Sequence, residues 1–354
     1  LIEKLIAVFG GGDMADQLAI CVVGCGRVSR SHLEGMREIP NEVKISAIVS
    51  SDPAKRESFS KEYLVPKSYA HLDDMLEDAE IEAVDLCLPN HVHKEATIKS
   101  VRAGKHVLVE KPMANTVKDC EEMIVAAEKA GVCLMVGQSR RFHDAVFKSK
   151  ELLDQGKIGN LISITALLFA YLKNPPTRWW KSKKKTGGLM IPLWGNHIFD
   201  YVLWMFDEKP THVFCEAYGN NPNWEGEDEV TVLIGFTRDR FATVKMSWNT
   251  KLMEVGEWDG KEKMLSSADI IYERYIQGTS GTMYLNDETM LKLNGNIVMQ
   301  GPQKPSNFAV QIREFASAIR ENREPLTSGK RVLDIIRIQE ACLESARRHD
   351  VVRL

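Results

Sequence analysis

The run Leu18-Ala19-Ile20-Cys21-Val22-Val23, followed by Gly24-Cys25-Gly26-Arg27-Val28-Ser29, decides how the rest of the chain reads. Six apolar residues bounded by glycine predict a buried strand, and the pattern after Gly26 predicts a helix to about Arg37. Between them stands G-x-G-x-x-G with serine in the last place. Gly24 permits a tight turn, and Gly26 lets the backbone approach a pyrophosphate. The helix start then offers unpaired N–H groups and the positive end of its dipole. The third position serves close helix–strand packing, for which Ser29 is small enough. A lone motif of this kind is weak; its strand–turn–helix frame makes it a dinucleotide fingerprint, contributed by Gly24, Gly26, Arg27, Val28 and Ser29. The earlier Gly10-Gly11-Gly12 precedes Asp13 and Asp16, whose charges would repel phosphate, and reads as a flexible lead-in.

Working outward, short apolar runs alternate with helical patterns. Strands are expected at 44–49, 84–88, 106–109 and 132–136, with helices at 53–62, 94–103 and 116–130. That alternation means βαβ units and a parallel sheet. The rhythm then changes. A helix at 142–155 precedes longer β-branched and aromatic runs at 161–172, 212–218, 229–236 and 241–248, with shorter ones near Met283 and Met290. Mostly antiparallel pairing is expected there, interrupted by a helix at 193–205 and closed by helices at 307–322 and 330–348. The fold class is thus an α/β Rossmann domain with a parallel sheet, plus an α+β domain with an antiparallel one. The expected boundaries are an extension at 1–17, a dinucleotide-binding domain at 18–140, and a substrate-binding and oligomerisation domain at 141–354 whose last helices can pack back on the first.

Composition agrees. The 354 residues are 44% apolar and 27% charged, enough apolar material for two cores and too much for a disordered chain. The formal net charge of −3 shows no basic footprint for nucleic acid, and no apolar run approaches the roughly 18 residues of a membrane helix. The first residues do not read as a secretory signal, and the seven cysteines form no C-x-x-C pair, so a cytoplasmic protein is expected.

Chemistry is sought where strands end, because open α/β sheets bind ligands beyond their carboxyl edges. About 20 residues past the glycine turn an acid would take the ribose of NAD. Ser50 and Ser51 stand there, followed by Asp52, with Lys55 and Arg56 close by. The hydroxyl and the cations suit the 2′-phosphate of NADP, and Asp52 keeps NAD open; the cofactor is NAD(P) with a slight lean to NADP. The next strands end in Leu88-Pro89-Asn90-His91-Val92-His93, in Glu110-Lys111-Pro112, and in Gln138-Ser139-Arg140-Arg141-Phe142. Lys111, held between Glu110 and a rigid proline, would polarise a carbonyl oxygen or stabilise an alkoxide. His197 follows Gly195-Asn196 with Asp200 three residues on, on the same helix face, where its carboxylate would orient the ring. Imidazole suits the hydroxyl proton. The run Arg178-Trp179-Trp180-Lys181, continuing to Lys185, offers cations for an anionic substrate or rings for a sugar face. His91 and His93 have no matching donor cluster, so no metal is expected.

These stretches resemble the Gfo/Idh/MocA oxidoreductases, through VVGCGRVSRSH, LPNHVHKEATIKSVRAGKHVLVEKPMANT, VGQSRRF, ELLDQGKIGNL, and TGG followed by GNHIFD. The resemblance implies hydride exchange between NAD(P) and a sugar, cyclitol or related hydroxy compound. It implies Lys111 beside both nicotinamide and substrate, and His197 as acid/base. Leu88, Pro89, Asn90, His93, Glu110, Gln138 and Arg141 would line the cofactor site; Arg178, Trp179 and Asn196 would border the substrate. Relatives pair through their open sheets, so a homodimer or homotetramer is expected. One departure is plain: where many members carry Asp four residues before the histidine, this chain has Leu193. Two further readings therefore stand beside a dehydrogenase: an NAD-dependent hydrolase or lyase acting on glycosides, and a non-catalytic dinucleotide-binding protein.

Overall fold

The computed structural model describes residues 17–251 and 270–354. The glycine run and nearly all of the expected extension lie outside the described residues. Two compact units emerge. One runs to Phe142 and includes Lys304–Leu333; the other comprises His143–Gln303 and Asp334–Leu354.

The first unit is a six-stranded parallel sheet in the order β3-β2-β1-β4-β5-β6. Its elements are β1 (Leu18–Val23), α1 (Arg27–Glu38), β2 (Val43–Val49), α2 (Pro53–Tyr63), β3 (Lys67–Tyr69), α3 (Leu72–Leu76), β4 (Ala83–Leu86), α4 (His93–Arg102), β5 (His106–Glu110), α5 (Val117–Ala130) and β6 (Leu134–Gly137). Every residue of β1 is buried, as a central parallel strand covered on both faces requires. The strand order reverses between β1 and β4, and that switch point places the ends of β1, β4 and β5 around one crevice. The parallel sheet stands as expected from the sequence, with one strand more. β3 is a three-residue polar edge with no apolar run to announce it.

The second unit begins with α6 (Asp144–Asp154) and β7 (Leu161–Ala170), followed by the short α7 (Lys183–Thr186) and by α8 (Asn196–Phe206). Then come β8 (His212–Tyr218), β9 (Glu229–Gly235), β10 (Phe241–Ser247), β11 (Ile270–Gly278), β12 (Thr282–Asn286), β13 (Met290–Leu293) and β14 (Asn296–Gln300). Together with β15 (Val352–Arg353) they form a nine-stranded sheet, β14-β13-β12-β11-β7-β10-β9-β8-β15. Among the described strands of this sheet only the central β7–β10 pair is parallel. Side chains alternate: Ile164, Ala166 and Leu168 of β7 are buried with Val244 and Met246 of β10, while Ser163, Thr165 and Leu167 turn the other way. β11 escapes a pattern reading because its inward row carries Arg274. That guanidinium donates to Glu288 at 2.9 Å and lies over the Tyr272 and Tyr201 rings, so a charge sits where an apolar residue is expected.

The chain then returns to the first unit with α9 (Asn307–Arg320), which packs on α1. A Cβ on Gly35 would lie 2.8 Å from the Ala309 nitrogen, so only glycine allows this approach. The residues after α9 run along β6: Val136 N–H donates to Thr327 O at 2.8 Å, and Thr327 Oγ1 donates to Val136 O at 2.7 Å. The last helix, α10 (Gly329–Arg348), buries Ile335, Ile336, Ile338 and Cys342. No described helix is long and apolar enough to cross a membrane.

Candidate active site

The glycine turn is built as its sequence demands. Gly24 has φ +104°, and a Cβ there would stand 2.5 Å from Cys87 O at the end of β4. Gly26 caps α1 with open space where a side chain would project, and the first turn of that helix carries no acid. Ser29 does more than fill the third glycine's place. Its hydroxyl accepts Gly26 N–H at 3.0 Å and donates to Gly24 O at 2.7 Å, closing the turn on itself. This open, amide-lined cradle at a helix start fits a dinucleotide pyrophosphate.

After β2, Ser50 is half-buried and Ser51 exposed. The Asp52 carboxylate caps α2, accepting Ala54 N–H at 3.0 Å and Lys55 N–H at 3.1 Å. Its capping role accounts for the acid without a ribose. After β4, Leu88 and Pro89 are half-buried, and buried Asn90 donates through Nδ2 to Asn115 Oδ1 at 2.5 Å. His93 is fully buried at the start of α4. Its Nδ1 lies 2.9 Å from Pro112 O and its Nε2 2.8 Å from Leu88 O. Burial holds its pKa below the ordinary histidine value, so the neutral ring donates to one carbonyl at a time. It thus ties the strand ends of β4 and β5 together.

Lys111 follows β5 directly. Burial, with Arg140 and Arg27 adding repulsion and Glu110 opposing them, brings its ammonium down to about 8. Glu110 is buried; its Oε2 accepts the backbone N–H of Lys111 at 3.1 Å, and its Oε1 lies 3.0 Å from His32 Nε2. After β6, Gln138 and Arg141 are buried, and Arg141 Nη1 donates to Leu326 O at 2.9 Å, which pins the segment beyond α9. Sequence reasoning missed His32 and Asp85, which join Glu110 beneath the site. Their signal is a charged residue inside an apolar stretch: Asp85 within β4, and His32 beside Leu33 on the buried face of α1.

In the second unit the TGG turn, Thr186–Gly188, leads through one π-type turn at Ile191–Gly195 into α8. Glu227 anchors this passage, its Oε1 accepting Leu189 N–H at 2.7 Å and Ile191 N–H at 3.0 Å. The expected helix from 193 therefore begins properly only at Asn196. Asn196 is buried, His197 half-buried, and Asp200 buried one turn on. Leu193, at 3% exposure, belongs to the core. Trp180 rather than Trp179 turns inward, stacking on Trp248 at 5.6 Å; Arg178 and Lys183 to Lys185 are exposed.

Residues 18–138 match the family model described as the oxidoreductase family with an NAD-binding Rossmann fold, and residues 146–265 match the GFO/IDH/MocA C-terminal domain. The chain belongs to the Gfo/Idh/MocA oxidoreductases. It is 26% identical over 313 residues to the 1,5-anhydro-D-fructose reductase of Ensifer adhaerens, covering 87% of this chain and 90% of that one. It is 25% identical to the 2,7-anhydro-N-acetylneuraminate hydratase of Escherichia coli (strain K12), covering 76% of this chain and 70% of the other. A levoglucosan dehydrogenase solved with NADH and L-sorbose shares the fold at a TM-score of 0.86 and 19% identity, over 96% of this chain and 99% of that one. As a Gfo/Idh/MocA protein the chain is an NAD(P)-dependent oxidoreductase.

Proposed function

We propose that this Gfo/Idh/MocA protein transfers hydride between NAD(P) and a hydroxyl or keto carbon of a sugar, cyclitol or related compound. The observation that carries the reading is Lys111: a half-buried lysine directly after β5, its pKa lowered, inside the family's frame. Bound NAD(P) supplies the hydride acceptor or donor. Lys111 polarises the substrate oxygen with its Nζ proton. His197 takes the hydroxyl proton during oxidation and returns it during reduction. Asn196 supplies a hydrogen bond on the substrate side, and Arg178 and Trp179 border the substrate. The named relatives act on anhydrosugars, which supports a polyol or ketosugar substrate. Ser50 with Lys55 and Arg56 supports NADP slightly over NAD. The half-exposed outer face of the nine-stranded sheet supports self-association into a homodimer or homotetramer.

Nicotinamide absorbance followed across a polyol and ketosugar panel tests the reading. Lys111→Met should lower turnover at least 10²–10³-fold, the usual consequence of removing one oxygen-stabilising donor. Full turnover by that variant would refute the assigned role. A second reading has its own support: the hydratase relative, together with the buried Leu193 in place of an acid, favours transient oxidation coupled to cleavage or hydration. Glycoside cleavage without net reduced cofactor would select it. Cofactor binding without any turnover would instead select the non-catalytic reading.

A further inference from the structure

Beneath the glycine turn lies a buried chain of ionisable groups. Asp85 Oδ2 is 2.6 Å from His32 Nδ1, and His32 Nε2 is 3.0 Å from Glu110 Oε1. Glu110 Oε2 then accepts the backbone N–H of Lys111. Each link comes from a different element: β4, α1 and β5. Phe308 of α9 covers the imidazole, ring centroids 5.1 Å apart. Cys87 donates its thiol to Asp85 Oδ1 at 3.6 Å. The opposite side is shaped to fit, because Gly137 pairs with Glu110 across β5–β6 and a Cβ on it would stand 2.9 Å from Glu110 Oε1.

Burying two carboxylates and an imidazole in a sheet's core is costly unless the ring is doubly protonated and shared between them. The directions agree. Burial opposes charge on His32, yet Asp85 raises its pKa well above the ordinary value. Burial likewise opposes charge on Glu110, yet the His32 contact holds its pKa down. His32 is therefore an imidazolium, donating Nδ1–H to one carboxylate and Nε2–H to the other. The same His32, Asp85 and Cys87 atoms lie within 4.8 Å of one another, but both ring nitrogens are spent on carboxylates, which makes this a proton-sharing chain and not a cation site.

We propose that Asp85 and His32 are positioning residues for hydride transfer: the Asp85–His32–Glu110 chain locks the Glu110 carboxylate, and through its bond to the Lys111 amide fixes where the Lys111 side chain starts. The inference rests on the reading of Lys111 given above. The titratable and charged groups facing Lys111 are Glu110, Arg27 and Arg140, and those facing Glu110 are His32, Lys111 and the neutral His93. None of these needs to titrate for the chain to work, because the two contacts that define it run from the His32 ring nitrogens to Asp85 and Glu110.

Asp85→Asn tests it in the full-length protein. Without the Asp85 charge the imidazolium loses its main stabilising contact, burial then opposes the charge more strongly, and the His32 pKa falls. A deprotonated ring has one N–H to give, so the two-ended bridge becomes a single uncharged donor to Glu110, with the new amide donating to the bare Nδ1, and the lock on the carboxylate loosens. The expected result is a kcat lowered on the order of 10²-fold at about pH 8, recovering toward the parent enzyme at about pH 6. KM for the cofactor should stay unchanged. His32→Gln should show a loss without the pH-dependent recovery. A pH-independent loss in Asp85→Asn, or none, overturns the proposal. Lys111→Met separates the two failures: if it is inactive while Asp85→Asn behaves as the parent, only the positioning chain falls; if it is active, the Lys111 reading falls first. Should Asp85→Asn fail to fold, nitrogen-15 imidazole shifts of the parent protein decide, His32 being assigned from His32→Gln. Two protonated ring nitrogens at about pH 8 support the chain, and a neutral ring refutes it.

Discussion

A single ammonium carries the most specific pH signature of this protein. Lys111 is brought to about 8 by burial first, with Arg140 and Arg27 repelling its charge and Glu110 attracting it. Polarising a carbonyl needs the protonated form, so ketone reduction should hold steady below about pH 8 and fall as the pH rises through that value. Removing one repelling cation raises the pKa. Arg140→Gln should therefore move the alkaline limb of the kcat/KM profile upward, and a limb that stays put or moves down would show that Lys111 does not set it. The place of Lys111 at a strand's end was legible in the sequence because an apolar run, an acid and a proline frame it. His32 and Asp85 were not. Periodicity marks a residue as inward-facing without telling whether its neighbours there are apolar or ionised, and partners 53 residues apart are joined only by the fold.

Elements show the same division. β1, β2, β4, β5 and β6 could be read because strands buried on both faces are continuous apolar runs, and the helices between them carry clear stops, such as the αL Gly131 after α5. β3, β14 and β15 were missed because they are short, polar or exposed edges, and β11 because its core row holds Arg274 paired with Glu288. The start of α8 was placed three residues early because the π-type turn at Ile191–Gly195 is as apolar as the helix it precedes. Within α1, the serine in the third glycine position supplies two hydrogen bonds to its own turn. Ser29→Ala removes both without a steric change. It should cost about 1 kcal/mol, as loss of a helix-capping hydroxyl does, lowering Tm by roughly 2–4 °C for a chain of this size. A larger fractional loss should appear in cofactor affinity, because the turn it closes is the pyrophosphate cradle. Calorimetry and cofactor titration on the same sample check both; an unchanged Tm would mean that water replaces the hydroxyl.

At the scale of the whole molecule, the nine-stranded sheet leaves a question its own unit does not answer. One face is filled by Val232, Val244, Ala166 and Ile276, while the other presents the cross-strand row Leu233, Thr243, Thr165, Tyr275 and Tyr284. Leu233, Phe241 and Tyr275 are each 37–41% exposed, and Ile162 is similar. Exposed singly, such residues need no explanation; gathered on neighbouring strands of one open face they are what the proposed self-association would bury. A two-fold axis through that face would make the patch self-complementary, each substitution appearing twice in the interface. Leu233→Arg combined with Tyr275→Glu should therefore halve the mass seen by sedimentation or light scattering. Both side chains leave the outer face of their strands, so the fold should survive, and an unchanged far-ultraviolet spectrum checks that it does. If the parent chain sediments as a monomer at micromolar concentration, or the double variant keeps the parent's mass, the sheet face is not the interface.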